Sequence, residues 1–271
     1  MTPWHEQRFA ALDFETSDKE PDSAFIVTAC LALVGGGRDA EIHEWLLSPG
    51  DREIPAEAVA IHKVNTEFAR ASGQDHAEGV AHITHMLASV LAGGAVLVGH
   101  NIGSYDLNVL ENECRREGVT TLTETLGGPI RPVLDSLVLD RQVAPYRSHV
   151  SDTQGAYALR TTAETYGLPW DEDKAHGSTY DALMSARATY KMGAIAHRPH
   201  SDRPDWVRGL RTQRFNSLAG LSVEELHDCQ IKWAAEQAAG LQDWLRNKAP
   251  EGKRDPNAVV DGSWPAKAVA S

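Results

Sequence analysis

Arg8-Phe-Ala-Ala-Leu-Asp13-Phe-Glu15-Thr-Ser17 is an apolar run that ends in two acids two positions apart. Residues i and i+2 of a β-strand point to the same face, so the pattern predicts that the carboxylates of Asp13 and Glu15 converge. Neighbouring anions repel each other unless a cation lies between them, and Mg²⁺ prefers such hard oxygen ligands. An Asp-x-Glu pair alone is more often a solvated strand end. A metal site is therefore indicated only if further carboxylates lie at positions that a fold could bring to the same place.

Two later segments each carry an acid that a fold could bring to the same place. Gly99–Leu110 starts as a polar loop after an apolar run, and Asp106 lies near the start of the helical pattern that follows. His176–Leu183 opens another helical pattern, with Asp181 in its first turn and His176 in the preceding loop. Taken singly, Asp106 is more often an ordinary acid at a helix N-terminus, and His176 an exposed loop histidine.

The order and context of these segments resemble the DEDDh class of DnaQ-like 3′→5′ exonucleases. This ribonuclease H-like family includes the epsilon subunit of bacterial DNA polymerase III. Asp13-Phe-Glu-Thr16 is similar to the first motif of the family, and His100-Asn101 through Asp106 is similar to the second. His176 precedes Asp181 by five residues, as in the third motif. Ile54–Val64 is also similar to the segment between the first two motifs.

The resemblance implies a set of functional residues. The implied catalytic residues are Asp13, Glu15, Asp106, His176 and Asp181, and the four acids among them would also be the metal ligands. The implied substrate-binding residues are Phe14 and Thr16, through backbone near the terminal nucleotide, together with His62 and Asn101. For His62, the alternative of a histidine on a helix surface is equally open.

These residue types suit the hydrolysis of a phosphodiester bond. The reaction needs a nucleophilic hydroxide near neutral pH and charge stabilisation for the entering and leaving oxygens, and two metal ions about 3.5–4 Å apart supply both. Four carboxylates offer hard ligands to two Mg²⁺ or Mn²⁺ ions, whereas thiols or imidazoles would suit zinc better. Imidazole exchanges a proton at physiological pH, so His176 fits a general base and need not be a metal ligand.

Length and composition agree with a soluble intracellular enzyme, although they do not themselves indicate an enzyme. The chain has 271 residues, of which 42% are hydrophobic, enough for one sizeable core and an appendage. No apolar run approaches the roughly 20 residues of a membrane span, and the N-terminus lacks the apolar region of a secretory signal. Cys30, Cys114 and Cys229 are widely scattered and indicate neither a disulfide framework nor a zinc site, which favours a reducing compartment.

Net charge limits the kind of nucleic-acid partner. The formal charge of −12 gives little general attraction to a polyanion, whereas proteins that coat a duplex usually carry a basic face. An end-directed nuclease tolerates this charge, because it holds only a few nucleotides and its metal ions neutralise several acids. We therefore expect the 3′ end of a single strand as the substrate and no tight, salt-sensitive binding to duplex.

The hydrophobic pattern predicts an α/β fold, a ribonuclease H-like mixed sheet of five strands flanked by helices. Three strands in a meander, followed by strands that alternate with helices, favour this layout. Gly35–Gly37 is predicted to be a hairpin turn, because it lies between the second and third predicted strands. It is not a phosphate loop, because it lacks the Gly-Lys-Ser/Thr ending and a following helix. The predicted strands are 9–14, 25–34, 41–47, 95–98 and one within 132–138, and the predicted helices are 55–61, 75–92, 103–117, 156–166 and 178–196.

The composition changes after Ala196, which divides the chain into an exonuclease domain at 1–196 and an extension at 197–271. The extension begins with arginines interleaved with Trp206 and Phe215, a pattern that can bind a single strand. The favoured alternative is a solvated linker whose tryptophan packs on the domain.

One amphipathic helix is predicted over Ser222–Asn247, since this segment has a capping box and an apolar stripe. The predicted stripe comprises Leu226, Ile231, Ala234, Ala238, Leu241, Trp244 and Leu245. The helix docks on the domain or binds a partner, such as a polymerase or a replication or repair protein. Residues 249–271 are expected to be loosely ordered, although 259–265 could tuck back.

The sequence therefore predicts a Mg²⁺- or Mn²⁺-dependent 3′→5′ exonuclease that releases nucleoside 5′-monophosphates from single-stranded DNA. Two alternatives stay open. A ribonuclease of the same class would carry the same motifs, because they do not encode the environment of the 2′-hydroxyl. A non-catalytic binding module on a nuclease fold would have no need of clustered carboxylates, so the intact acid set counts against it.

Overall fold

The computed structural model describes residues 2–147 and 154–267. Five strands form one sheet in the order β3-β2-β1-β4-β5, in which β2 is antiparallel to β1 and β3, and β4 is parallel to β1 and β5. This mixed sheet confirms the predicted fold class. Gly35–Gly37 forms the predicted turn between β2 and β3, with positive φ at all three glycines. The strands are β1 (Arg8–Thr16), β2 (Ile26–Gly35), β3 (Glu41–Leu46), β4 (Val96–Gly99) and β5 (Val133–Asp135).

Helices flank this sheet and continue into the C-terminal extension. In chain order they are α1 (Ala56–His62), α2 (Thr66–Ser72), α3 (His76–Ala92), α4 (Asp106–Glu117), α5 (Leu122–Leu126), α6 (Ser136–Val143), α7 (Leu159–Thr165), α8 (Ser178–Ala196), α9 (Asp205–Arg208), α10 (Phe215–Ala219) and α11 (Val223–Asp243). The sequence did not predict the short helices α2, α5, α6, α9 and α10. Within the described ranges, no helix combines the length and apolarity that crossing a membrane requires.

Alternate residues of β1 face two different helix layers. Ala10 and Leu12 pack into the core formed with α3 and α4. Phe9 and Ala11 pack into the core on the other face of the sheet, which α8 covers. Because side chains alternate along a strand, the positions after Ala11 on this second face point toward α8 as well.

The residues after α8 pack on the domain. Arg203 is buried and donates to the carbonyl oxygen of Ala196 at 2.8 Å, while Phe215 is fully buried. Trp206 packs edge-on against Tyr166, with ring centroids 5.4 Å apart. The packing of the tryptophan confirms the favoured interpretation, but the prediction of a solvated linker is wrong, because this segment holds α9 and α10.

Polar side chains of α11 cover the edge strand β5. His227 Nδ1 accepts a hydrogen bond from Val133 N–H at 3.1 Å. Gln230 Oε1 accepts from Asp135 N–H at 2.8 Å, and Gln230 Nε2 donates to the carbonyl oxygen of Val133 at 3.0 Å. The peptide groups that an edge strand leaves unpaired are therefore satisfied by a helix.

The predicted apolar stripe of α11 is wrong in part. The capping box at Ser222 starts the helix as predicted, and Leu226 is buried. Ile231, Leu241 and Trp244 are exposed instead of buried. The edge strand needs hydrogen-bonding partners, so the face that docks is chosen by polar groups as much as by hydrophobicity.

The C-terminal tail returns to the domain. Trp264 is buried and packs with the core on the α3 and α4 side of the sheet, which confirms that 259–265 tucks back. Residues 268–271, the end of the predicted loose tail, lie outside the described residues.

Candidate active site

β1 and α8 bring three of the predicted acids together. Asp13 and Glu15 leave the face of β1 that α8 covers, and Asp181 leaves the first turn of α8. One carboxylate oxygen from each of the three lies within 4.8 Å of the others. The convergence predicted for Asp13 and Glu15 is therefore present, and α8 adds a third acid to it.

Asp106, the fourth predicted acid, is fixed beside this cluster. It is the first residue of α4 and is only 4% exposed. Its Oδ1 accepts a hydrogen bond from the backbone N–H of Phe14 at 3.1 Å, which ties the start of α4 to the strand between Asp13 and Glu15. After burial, which is the larger cause, the charge of Asp106 also raises the pKa of Asp13 and of Glu15.

Burial raises the pKa of all four carboxyl groups. Burial is the largest cause for each: it places the pKa of Asp13 well above its ordinary range, and raises the pKa of Glu15 to about 8, of Asp106 to about 7 and of Asp181 to about 6. Repulsion by the other acids of the cluster adds to burial at Asp13 and Glu15, and the charge of Asp135 adds to it at Asp106. At Asp181 the charge of His176 opposes burial. Carboxylates that cannot all ionise without cost attract cations.

The donor set fits hard divalent cations. All four groups offer carboxylate oxygens, the ligands that Mg²⁺ and Mn²⁺ prefer. Oδ1 of Asp181 is buried and has no hydrogen-bond partner among the described residues. In that part of the chain, no lysine or arginine charge offsets any of the four acids. A buried oxygen without a donor is costly, and a bound cation would satisfy it.

Two predicted histidines and Glu15 line one cleft of about 700 Å³. His176 is exposed in the loop before α8 and has a φ of 60°. His62 is buried in the cleft wall, where its Nδ1 accepts from Val64 N–H at 3.2 Å and its buried Nε2 has no partner in the described ranges. Burial lowers the pKa of His62, so its imidazole is neutral at physiological pH. His62 is therefore not an exposed histidine on a helix surface.

The other residues implied by the resemblance make internal contacts. Thr16 Oγ1 forms a hydrogen bond with the Tyr105 hydroxyl, and the side chain of Phe14 packs in the core. Asn101 lies in the loop before α4, where its N–H donates to Asp135 Oδ1 at 2.9 Å. Asn101 lines a different pocket from the one that holds Glu15. The roles of these residues toward a substrate stay predictions.

Phe68 is a cleft residue that the sequence did not bring forward. It lies on α2, lines the same cleft as Glu15 and is 52% exposed. The signal for α2 is Asn65, whose side chain accepts from Phe68 N–H as an N-cap. A phenylalanine three residues after a cap gives no sign that it faces a cleft, so its place follows only from the fold.

Comparisons with known proteins identify the fold and the family. A family model for exonucleases, of the RNase T type, matches residues 10–189. Among solved structures, Escherichia coli exonuclease I in complex with a dT13 oligonucleotide matches with a TM-score of 0.57 and 17% identity, over 68% of this chain and 40% of that chain. The zinc-bound E. coli exonuclease I complex with single-stranded DNA matches with a TM-score of 0.54 and 16% identity, over 70% and 43%. The chain thus spans less than half the length of exonuclease I. No curated protein gives a significant sequence match.

The matched segment contains all four clustered acids. It covers more than half of the 271 residues. The chain therefore belongs to the RNase T family of exonucleases, the DnaQ-like class that its motifs resemble.

Proposed function

We propose that the protein is a metal-dependent 3′→5′ exonuclease that releases nucleoside 5′-monophosphates from the 3′ end of single-stranded DNA. The observation that carries the proposal is the group of Asp13, Glu15, Asp106 and Asp181, four carboxylates that no lysine or arginine offsets in the described ranges and one of which lines a cleft. Membership of an exonuclease family supports the hydrolysis of a nucleic-acid backbone.

The four carboxylates would hold two Mg²⁺ or Mn²⁺ ions. When bound, such a pair of ions supplies a nucleophile at neutral pH and stabilises charge on the entering and leaving oxygens. By the resemblance, Asp13, Glu15 and Asp181 would hold the ions together with Asp106. The hydrogen bond from Phe14 N–H would fix the orientation of Asp106 and leave its second oxygen for a ligand bond.

His176 is the proposed general base. Its imidazole lines the same cleft as Glu15 and reaches solvent. There it would accept the proton of the attacking water and pass it to solvent, which returns the side chain to its starting state.

The walls of the cleft would hold the terminal nucleotide. Nε2 of His62 is buried without a partner in the described residues and offers a polar contact. The exposed ring of Phe68 offers a surface on which an unpaired base can stack. The backbone near Phe14 and Thr16, together with Asn101, completes the proposed set of substrate contacts.

Single-stranded DNA is the favoured substrate for two reasons. The matched exonuclease I structures are complexes with single-stranded DNA. The formal charge of −12 also disfavours broad contact with a duplex, whereas a cleft can take one unpaired end. A ribonuclease of the same class and a non-catalytic binding module are the alternatives.

Matched DNA and RNA strands labelled at the 3′ end, incubated with and without Mg²⁺, separate these three functions. The proposal predicts release of labelled mononucleotide from DNA at the earliest times, only with Mg²⁺, and more slowly from RNA. Faster release from RNA would assign a ribonuclease. Binding without release from either strand would assign a binding module.

The proposal also assigns the domain bounds, a surface for a protein partner and the cellular compartment. All five proposed catalytic residues lie before Ala196, so 1–196 is the proposed exonuclease domain and 197–271 its extension. A polymerase or repair partner would bind the exposed side of α11, which carries Ile231 and Leu241, together with Trp244 directly after the helix. The cytoplasm is the proposed compartment, since all three cysteines are free thiols.

A further inference from the structure

The loop of residues 100–105, which leads into Asp106, is held by a buried carboxylate. Asp135 is fully buried at the end of β5. Its Oδ1 accepts from Asn101 N–H at 2.9 Å, and its Oδ2 accepts from Gly103 N–H at 3.1 Å. Oδ1 also accepts from Leu137 N–H at 3.0 Å, which fixes Asp135 as the N-cap of α6. The position of the loop therefore depends on how firmly Asp135 is held.

Trp264 of the C-terminal tail contacts both Asp135 and the loop. Its indole Nε1 donates to Asp135 Oδ2 at 3.3 Å, and the side chain is 6% exposed. A Cβ atom on Gly103 would lie 2.0 Å from Trp264 Nε1. The indole thus lies directly against the backbone of the loop, in a space that only glycine at position 103 leaves free.

The residues after Trp264 add two backbone contacts. Ala266 N–H donates to the carbonyl oxygen of Gly103 at 2.8 Å. Lys267 N–H donates to Asn108 Oδ1 at 2.8 Å, and Asn108 Nδ2 donates to the same Gly103 carbonyl at 3.2 Å. Trp264–Lys267, which we name the C-terminal clasp, therefore binds the loop and the first turn of α4 together.

We propose that Trp264 is a positioning residue, which acts through Asp135 and the 100–105 loop to hold Asp106 in the orientation that ligates metal. This inference rests on the proposed function. Leu107 N–H donates to the carbonyl oxygen of Ile102 at 3.0 Å, so a shift of the loop moves the start of α4. The clasp lies outside residues 10–189, the part that the family model matches. The extension of this chain thus completes a site whose metal ligands all lie in the family domain.

The alternative is that Trp264 is a core residue whose loss lowers stability only. A positioning role requires more, because partners that orient metal ligands typically contribute about 10–100-fold in metal affinity or activity. The two roles differ in what changes while the protein is still folded. Metal affinity and kcat change with a positioning residue, whereas only the melting temperature changes with a core residue.

The test uses the full chain with Trp264→Ala, Trp264→Phe and the control Val259→Ala, which lies in the same tail and is 82% exposed. Each protein is measured well below its own melting temperature. Calorimetry gives Mn²⁺ affinity, oligonucleotide hydrolysis gives kcat and KM, and hydrogen exchange gives the protection of the Asn101 and Gly103 amides. We expect Trp264→Ala to lower Mn²⁺ affinity and kcat by about 10–100-fold with little change in KM, and to speed exchange at both amides. Val259→Ala should match the wild type.

Trp264→Phe keeps an aromatic ring but removes the donor to Asp135, and it decides the question if Trp264→Ala fails to fold. We expect an intermediate loss of Mn²⁺ affinity. Wild-type Mn²⁺ affinity, kcat and amide protection in every folded Trp264 variant would overturn the proposal. A wild-type protein that binds Mn²⁺ but cleaves no nucleic acid would refute the proposed function alone, since affinity and exchange would still test the clasp.

Discussion

Two groups of side chains in the described residues have the spacing of a metal site, yet their electrostatics are opposite. Asp13, Glu15 and Asp181 form one group, and His76, Glu113 and Glu117 form the other; in each, three ligand atoms lie within 4.8 Å of one another. Spacing alone does not distinguish the two groups. Their surroundings do.

Glu113 in the second group already has positively charged partners. Arg116 Nε donates to its Oε1 at 2.9 Å, Arg52 Nη1 donates to the same oxygen at 3.4 Å, and His76 bonds its other oxygen. Burial alone would raise the pKa of Glu113, but the hydrogen bond and charge of His76 and the two arginines outweigh burial and lower it. In the first group, burial raises the pKa of every acid, and repulsion by neighbouring acids adds to it at Asp13 and Glu15.

The difference shows that charge balance, more than distance, identifies a cation site. A dication near Glu113 would have to displace two arginines, whereas one near Asp13 would relieve repulsion. The second group, through the ion pairs of Glu113 with Arg52, His76 and Arg116, links α3, α4 and the loop before α1. We call this set of ion pairs the brace. The first group is costly to the fold unless a cation binds, which is typical of a functional site.

The largest expected effect is on kcat, which variants of the first group should lower and a variant of the second group should not. Asp13→Asn or Asp181→Asn should lower kcat on the order of 10³-fold or more, as expected when a group that stabilises transition-state charge is lost. Glu113→Gln should keep kcat, since its side chain serves the brace. Rates on a 3′-labelled oligonucleotide measure both. Full activity in the two aspartate variants would show that the first group has no catalytic role.

His176 tests whether proton transfer belongs to the first group. His176→Ala should lower kcat by about 10²–10⁴-fold, the usual contribution of a positioned base, with a smaller change in KM. His85→Ala is the matched control, because His85 is an exposed histidine on α3. An unchanged kcat at neutral pH in His176→Ala would assign the proton transfer to another group.

Substitution of Glu113 tests whether the second group contributes to the stability of the fold. Glu113→Gln leaves Arg52, Arg116 and His76 without their shared carboxylate, and the lost charged hydrogen bonds should lower the free energy of unfolding by about 1–3 kcal/mol. The two arginine side chains are 34% exposed, which keeps the effect below that of a fully buried pair. Urea unfolding measures it. A variant as stable as the wild type would show that the brace contributes nothing.

The free energy of unfolding of the metal-free protein should depend on pH through the raised pKa values of the first group. Glu15 has a pKa of about 8 in the folded chain against an ordinary 4.5, so the folded state binds more protons between these values. The free energy of unfolding should therefore fall as pH rises across that window, and saturating Mg²⁺ should remove the fall. Relative to Asp181→Asn, which removes the larger of the two charges that repel Glu15, we expect a difference of about 1 kcal/mol between pH 5 and pH 8. Unfolding in chelator at both pH values measures it, and equal slopes would contradict the contribution of repulsion to the raised pKa.

The part of this site that could be predicted is the part with a local pattern. The apolar run before Asp13 and the two-residue spacing to Glu15 define a strand and its face. Asp106 and Asp181 sit at helix starts that the polar loops before them mark. The family motifs then predict which of these separate acids converge.

The part that could not be predicted depends on contacts between distant residues. Asp135 and Trp264 touch across 129 positions, and neither has a neighbouring residue that indicates the contact. On α11, hydrophobicity selected Ile231 and Leu241, but the docked face uses Gln230, because the edge strand offers peptide groups that need polar partners. A pattern read along one helix cannot include the needs of a strand elsewhere in the chain.

Charge balance assigns the cation site to the acids around Asp13 and not to the group around Glu113. Calorimetric titration of Mn²⁺ into the wild type, Asp13→Asn and Glu113→Gln tests this assignment without reference to any substrate. We predict two bound ions in the wild type and in Glu113→Gln, and a loss of binding in Asp13→Asn. Wild-type binding in Asp13→Asn, or its loss in Glu113→Gln, would contradict the account.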